Sequence, residues 1–398
     1  MKSNFFRLSM VSALVSTAFT VVADDRAGAI PTASGIDIVP ELTWELKHDN
    51  NVANTRTDKV SSFVSELTPS VAMVLTDGVN EYSLASAFRL GDYFQSRQDN
   101  FFDAGFRADA KMEFTDRHRI RLQGNTIFGH EQRGQGVSDS LGFEVDEPGR
   151  FEEYEIKGHY EFGARSTPAR LRLSAGYLDK GYTNLREFSQ FRDFDRRTVG
   201  ATFFFSTLAS TDLVAEVMRN DINYKVVDID RGSRDNKDIS YRVGLDWEIT
   251  ALTSGELRIG QQRKTFDNPL REDFKGLSWN LSVTYEPLSY SRFTLETGRR
   301  ATDPMTAADY VKDSTYGGNW QHDWNSDLKT NVRVRYVNSD FVGVTQRNKF
   351  WNYGADVNYR LSYWLTVFAG FDIADRDSTV ERFIYDKRVI SLGLRVGI

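Results

Sequence analysis

The sequence predicts an all-β chain folded as one transmembrane, antiparallel, up-and-down β-barrel of 18 strands, or 16 if one weak hairpin is lost. Three observations carry that expectation. Apolar and charged residues alternate over strand-length stretches. The stretches are joined by connections that alternate between short and long. Beyond the first two dozen residues, no apolar run is long enough for a membrane helix.

The stretch Asp103 to Phe114, DAGFRADAKMEF, is the clearest case. Ala104, Phe106, Ala108, Ala110, Met112 and Phe114 are apolar, while Asp103, Arg107, Asp109, Lys111 and Glu113 between them are charged. Neighbouring side chains on a strand point to opposite faces. A half-buried soluble strand also alternates, but this length and this ionic density suit a wall between lipid and a water-filled lumen. The pattern recurs in Leu42–Leu46, Tyr154–Phe162, Ile239–Ile249, Leu277–Tyr285, Leu328–Tyr336 and Trp351–Leu361.

Taken in order, the chain opens with a targeting pattern. Lys2 and Arg7 precede an apolar run from Leu8 to Val22, and Val21-Val22-Ala23 suits a signal peptidase, so residues 1–23 read as a signal peptide. Residues 24–36 are too few for a plug domain and read as a short periplasmic segment. Residues 37–398 read as the outer-membrane barrel. Eight short connections punctuate it: 76–80, 115–118, 163–169, 206–212, 250–256, 286–292, 324–327 and 361–364. Longer polar stretches such as 130–150 and 228–238 lie between them. Eight short turns on the periplasmic side and nine longer extracellular loops require 18 strands. The weak segments are Phe63–Leu75, which contains Pro69; Leu213–Tyr224, ambiguous in phase; and Val311–Trp324, where Asp313 and Gly317 share a face with Val311. The closing stretch VISLGLRVGI alternates well, although Ile398 replaces the terminal aromatic that the barrel-assembly machinery usually meets.

Composition narrows the function. Lys and Arg number 50 against 56 Asp and Glu; without Lys2 and Arg7 the balance is 48 against 56, a net of −8. That excludes a nucleic-acid partner on charge grounds. The absence of cysteine argues against a small disulfide-stapled secreted domain. Aromatics at 13% with a mean hydropathy of −0.47 fit a barrel, where only half of each strand meets lipid.

Eighteen strands tilted near 40° imply a backbone diameter of roughly 35 Å, with about 15–20 Å between inward side chains. Phase assigns to that lumen Arg89, Asp103, Arg107, Asp109, Arg119, Arg121, Glu153, Glu155, Arg170, Arg172, Arg242, Asp246, Glu248, Arg258, Arg333, Arg335, Asp356 and Arg360. The plainer reading is a ladder of ion pairs that stiffens a wet wall. The sharper one is a set of arginine forks for the hydroxyls and carboxylates of a passing chain. One loop, 181–197, interleaves Tyr182, Phe188, Phe191 and Phe194 with Arg186 and Arg192. That composition suits sugar stacking or a constriction, and equally a loop packed on its own aromatics.

Enzymatic signals are nearly absent. His130-Glu131 lacks the second histidine of a metalloprotease helix, and Asp228–Gly232 breaks calcium-loop spacing. No catalytic residue, metal or cofactor is expected.

Three stretches resemble a known family. VPELTWELKHDNNV (39–52), LSWNLSVTYEPLSYSRFTLETGRRATDP (277–304) and DRDSTVERFIYDKRVISLGLRVGI (375–398) are similar to the opening strand, the tryptophan strand with its proline-bearing turn, and the closing strand of the type-2 putative β-barrel porins. These include the exopolysaccharide-export barrel of the Vibrio biofilm polysaccharide system. The resemblance implies an outer-membrane pore through which a secreted polysaccharide chain passes, in company with a periplasmic polysaccharide-export protein. The residues alone leave two other readings open: a general or substrate-selective diffusion porin, and a structural or adhesive barrel with matrix-binding loops.

Overall fold

The computed structural model describes residues 29–397, apart from 209, 229–231, 251 and 306. The expected signal peptide, residues 24–28 and Ile398 lie outside the described residues. Eighteen long strands follow in order: β1 (Ile36–Asp49), β2 (Ser62–Asp77), β3 (Asn80–Tyr93), β4 (Phe101–Thr115), β5 (His118–Glu131), β6 (Gly149–Phe162), β7 (Ala169–Tyr182), β8 (Phe194–Leu208) and β9 (Thr211–Tyr224). They continue through β10 (Asn236–Thr250), β11 (Thr253–Phe266), β12 (Phe274–Leu288), β13 (Ser291–Thr302), β14 (Tyr310–Asp323), β15 (Leu328–Val342), β16 (Gln346–Ser362), β17 (Leu365–Ser378) and β18 (Tyr385–Gly397). Each pairs antiparallel with the next, and β18 returns to β1 in the register Val389↔Asp49 to Gly397↔Glu41. The sheet is therefore closed, which leaves no raw edge in lipid. Ile30 and Pro31 add a short pairing onto Ile38 and Asp37. No described helix is long and apolar enough to cross a membrane; the strands do so.

The alternation sorts the side chains. Leu42, Phe106, Phe114, Leu122, Ile156, Val243, Leu295, Tyr353 and Ile390 stand exposed on the outer face, Phe114 at 63%. They lack protein cover because their medium is lipid. All eight expected short connections join strand ends at one rim of the barrel. At the other rim the loops are longer, although the one between β15 and β16 spans only 343–345.

The weak segments are all strands, each for a visible reason. In β2 the ladder to β3 lapses between Leu67↔Leu90 and Ser70↔Ala87, which accommodates Pro69, a residue with no N–H to donate. In β9 the phase is blurred because Val214 and Ile222 are apolar residues on the inward side, where both are buried. In β14, Val311 points inward and is buried beneath the mouth. Asp313 on the same face accepts hydrogen bonds from Ser339 Oγ at 2.6 Å and Thr302 Oγ1 at 2.8 Å. Inward apolar residues near a loop-covered rim blur the period without breaking the strand.

Candidate functional site: the lumen wall and its mouth

Strand phase and register put all eighteen expected wall residues on the face opposite the apolar belt. Strands bring them together in four runs, because facing residues on adjacent strands lie within reach of long side chains. On β1–β5, Lys47 Nζ meets Glu45 at 3.0 Å and Glu66 at 2.9 Å. Arg89 then spans Glu66 at 3.0 Å and Asp103 at 3.2 Å, and His130 Nδ1 lies 2.8 Å from Asp103 Oδ1. His130 is in phase with the lipid-facing Phe128, yet it stacks on Phe101 at 4.0 Å and joins the inward network. The β4–β5 register ends at Ala104↔Phe128, while the ladder to β6 continues through His130↔Arg150.

On β4–β9 the hub is Glu161, which holds Arg119 at 2.6 Å, Arg172 at 2.8 Å and Arg170 at 3.3 Å; Arg170 also reaches Asp212. Nearby, Asp109 takes Arg107 at 2.5 Å and Arg121 at 3.7 Å, while Glu155 takes Lys157 at 3.3 Å. Glu153 is buried on the same face. The third run pairs Arg242 with Glu216 at 2.5 Å and Arg258 with Asp246 at 2.6 Å. The fourth places Arg333 between Asp356 at 2.8 Å and Asp372 at 2.7 Å. Three expected residues stand apart. Glu248 is exposed beside the short-turn rim, Arg360 sits at that rim on Asp327 at 3.2 Å, and Arg335 has no carboxylate within ion-pair distance among the described residues.

Most of the wall's guanidinium forks are thus already held by carboxylates. Such a surface stays wet and offers many hydrogen-bonding groups, but little net field of one sign. Among the described residues, no group of three or more His, Asp or Glu side chains is placed to hold a metal ion.

The long-loop rim is folded across by two assemblies. The first centres on the loop 132–148. Arg133, only 3% exposed, grips Asp99 through Nε at 2.7 Å and Nη2 at 2.6 Å and donates to Gly142 O at 3.3 Å. Gly134, at φ +74°, and Gly142 both approach Ala53 O so closely that a Cβ on either would sit 2.1 Å from it. At the loop's base, buried Glu131 accepts from Tyr182 Oη at 2.7 Å, Lys180 Nζ at 3.1 Å and the Val137 amide at 2.8 Å. From there the loop reaches β17 and β18, where Asp139 binds Arg376 at 2.6 Å and Gln132 binds Lys387 at 3.1 Å. Counted round the ring, it passes over β4 to β1.

The second assembly joins the loop 183–193 to the loop 303–309. Arg192 donates to Met305 O at 2.9 and 2.8 Å, and Arg234 donates to Pro304 O at 3.2 Å. Of the aromatics expected to contact a passing chain, Tyr182 is buried. Phe188 packs against Ile127, Val137, Phe151 and Tyr182, and Phe194 begins β8 with its ring 5.7 Å from Tyr224. Arg186 is spent on Tyr182 O at 2.6 Å and Asp193 at 2.8 Å, while Phe191 is half-buried. The loop's aromatics are mainly internal packing, and Phe188 ties the two assemblies together.

Asp99, Arg133, Asp139 and Arg376 were not singled out by the sequence. The available signal was the glycine spacing Gly134, Gly136 and Gly142 in the longest loop, which asks for a backbone approached closely.

The model of the family described as "Putative beta-barrel porin 2" matches residues 37–397. None of the curated proteins matches the chain. Among solved structures, OccK2 (OpdF) of Pseudomonas aeruginosa is similar at 11% identity and TM-score 0.50, over 91% of this chain and 98% of that one. OpdO of the same organism is similar at 13% identity and TM-score 0.49, over 94% and 99%. At 11% identity the likeness to OccK2 is one of fold.

Proposed function

We propose, from the premise that the chain belongs to the Putative beta-barrel porin 2 family, that it is a substrate-selective diffusion channel of the outer membrane. Small hydrophilic solutes would cross by passive diffusion, and the loops folded over the outer mouth would set their size. The observation that carries this reading is the pair of ties across the rim, Asp139 to Arg376 and Arg192 to Met305. They tie the long loops to one another and to the barrel wall over the entrance. The ion-paired wall supports it too, since matched charges keep the lumen wet without trapping an ion of either sign.

Export of exopolysaccharide is the second reading. Its support is the resemblance of 39–52, 277–304 and 375–398. It demands that both ties release, and it brings in the periplasmic export protein.

Planar-bilayer conductance of the purified barrel, with liposome swelling in sugars of increasing size, tests the first reading. Steady conductance and a sharp size cutoff are expected. A silent barrel, together with polysaccharide retained by cells lacking the gene, would replace it with export.

A further inference from the structure

At the long-loop end of the outer face, cations stand at the top of the apolar belt without counterions. Along β12 the outward side chains run Tyr285, Val283, Leu281, Trp279, Leu277 and then Lys275. The apolar positions cover about 27 Å of strand, or roughly 21 Å of membrane at a tilt near 40°. That approaches the apolar band of about 25 Å typical of such barrels. Lys275 therefore emerges at headgroup level, on the side that long loops mark as extracellular.

Arg263 of β11 is its direct cross-strand partner, and both are exposed. Like charges facing each other on an antiparallel pair repel. Among the described residues no carboxylate lies within ion-pair distance of either, nor of Arg299 on β13, whose guanidinium lies 5.7 Å from the Trp279 ring. Arg219 and Arg347 near this rim are matched, Arg219 by Asp221 at 2.9 Å and Arg347 by Asp340. Exposed Lys349 and Arg388 have no ion pair among the described residues, but they face Asp377 and Ile373 across the ladder and not a like charge. The repulsion between Arg263 and Lys275 has no remedy within the described protein, and an anion between them would supply one.

We propose that Arg263, Lys275 and Arg299 form a binding site for the phosphate of an anionic lipid headgroup in the outer leaflet. The Arg263 fork and the Lys275 ammonium converge on the phosphate oxygens, the apolar belt below receives the acyl chains, and Arg299 with Trp279 marks the boundary between them. The site rests only on the barrel's place in the membrane, and is independent of what crosses the lumen.

The test uses the purified full-length barrel in a neutral detergent, with a bisphosphorylated glycolipid and its phosphate-free counterpart as probes. Binding is read by native mass spectrometry and by the upward shift in melting temperature. The phosphorylated lipid should bind and stabilise the wild type, less so in high salt, and the phosphate-free lipid should not. The R263Q/K275Q double variant should bind about thirtyfold more weakly, at roughly fivefold per basic residue lost beside an anionic headgroup. Its conductance should not change, because both residues face away from the lumen; a failure of the channel reading would show in conductance and leave lipid binding untouched. Equal binding of the two lipids to the wild type would overturn the site even if the double variant failed to fold. Equal binding of the phosphorylated lipid to wild type and folded double variant would do the same.

Discussion

The two loops that meet over the mouth are built in opposite ways. The loop 132–148 is anchored by buried polar contacts: its Arg133 grips buried Asp99 of the β3–β4 connection in two-pronged fashion, and two of its glycines lie against Ala53 O of the β1–β2 connection. The loop 183–193 is organised from its surroundings, its aromatics packed onto strand residues and its Arg192 hung from another loop's backbone. Removing a buried charge's partner costs far more than removing a bond to a carbonyl that water can reach. Rigidity at the mouth therefore resides in the polar, glycine-bearing loop, while the arginine- and aromatic-rich loop is the more adaptable neighbour.

Substitutions can break that contrast. Arg133→Ala should have the largest effect, since it leaves Asp99, 3% exposed, without its countercharge; the expected cost is about 3–5 kcal/mol of local stability. Protease cleavage within 132–148 should appear and single-channel conductance should rise, with the barrel itself still heat-modifiable on gels. Gly142→Val comes next. Its side chain must displace Ala53 O, at about 1–3 kcal/mol, and faster hydrogen exchange near residues 51–54 would report it.

Arg192→Ala removes two bonds to Met305 O and should cost about 1–2 kcal/mol, seen as noisier open-channel current with mean conductance nearly unchanged. Should this variant widen the channel more than Arg133→Ala, the roles assigned to the two loops are reversed. Arg360→Ala, an exposed pair with Asp327 at the opposite rim, sets the baseline: a change under about 0.5 kcal/mol in denaturant unfolding.

Much of the architecture was legible because a barrel writes its environment into every second residue. Phe106 and Phe114 on one side, with Asp103 and Arg107 on the other, define a wall before any partner strand is known. Turns such as 116–117 lie where polar residues interrupt that rhythm. The wall residues followed from phase alone. Their partners did not, because Glu161 meets arginines from two different neighbouring strands and only register decides which.

The mouth was least legible. Asp139 and Arg376 lie 237 positions apart, and nothing local to either marks the other. Aromatic and arginine content drew notice to 181–197, whereas burial and glycine geometry make 132–148 the stiffer element. His130 shows the same limit in miniature, since its phase matches Phe128 while its ring stacks on Phe101 and meets Asp103.

The ring's seam has a consequence for manufacture. β1 and β18, the first and last long strands in the order of synthesis, seal one another through Val389↔Asp49 to Gly397↔Glu41. A nascent chain interrupted anywhere before Tyr385 would present two open flanks, each a row of amides and carbonyls that hydrocarbon cannot satisfy. Sealing of the wall therefore waits for the stretch that is made last, and every earlier intermediate must have its two flanks covered by something else.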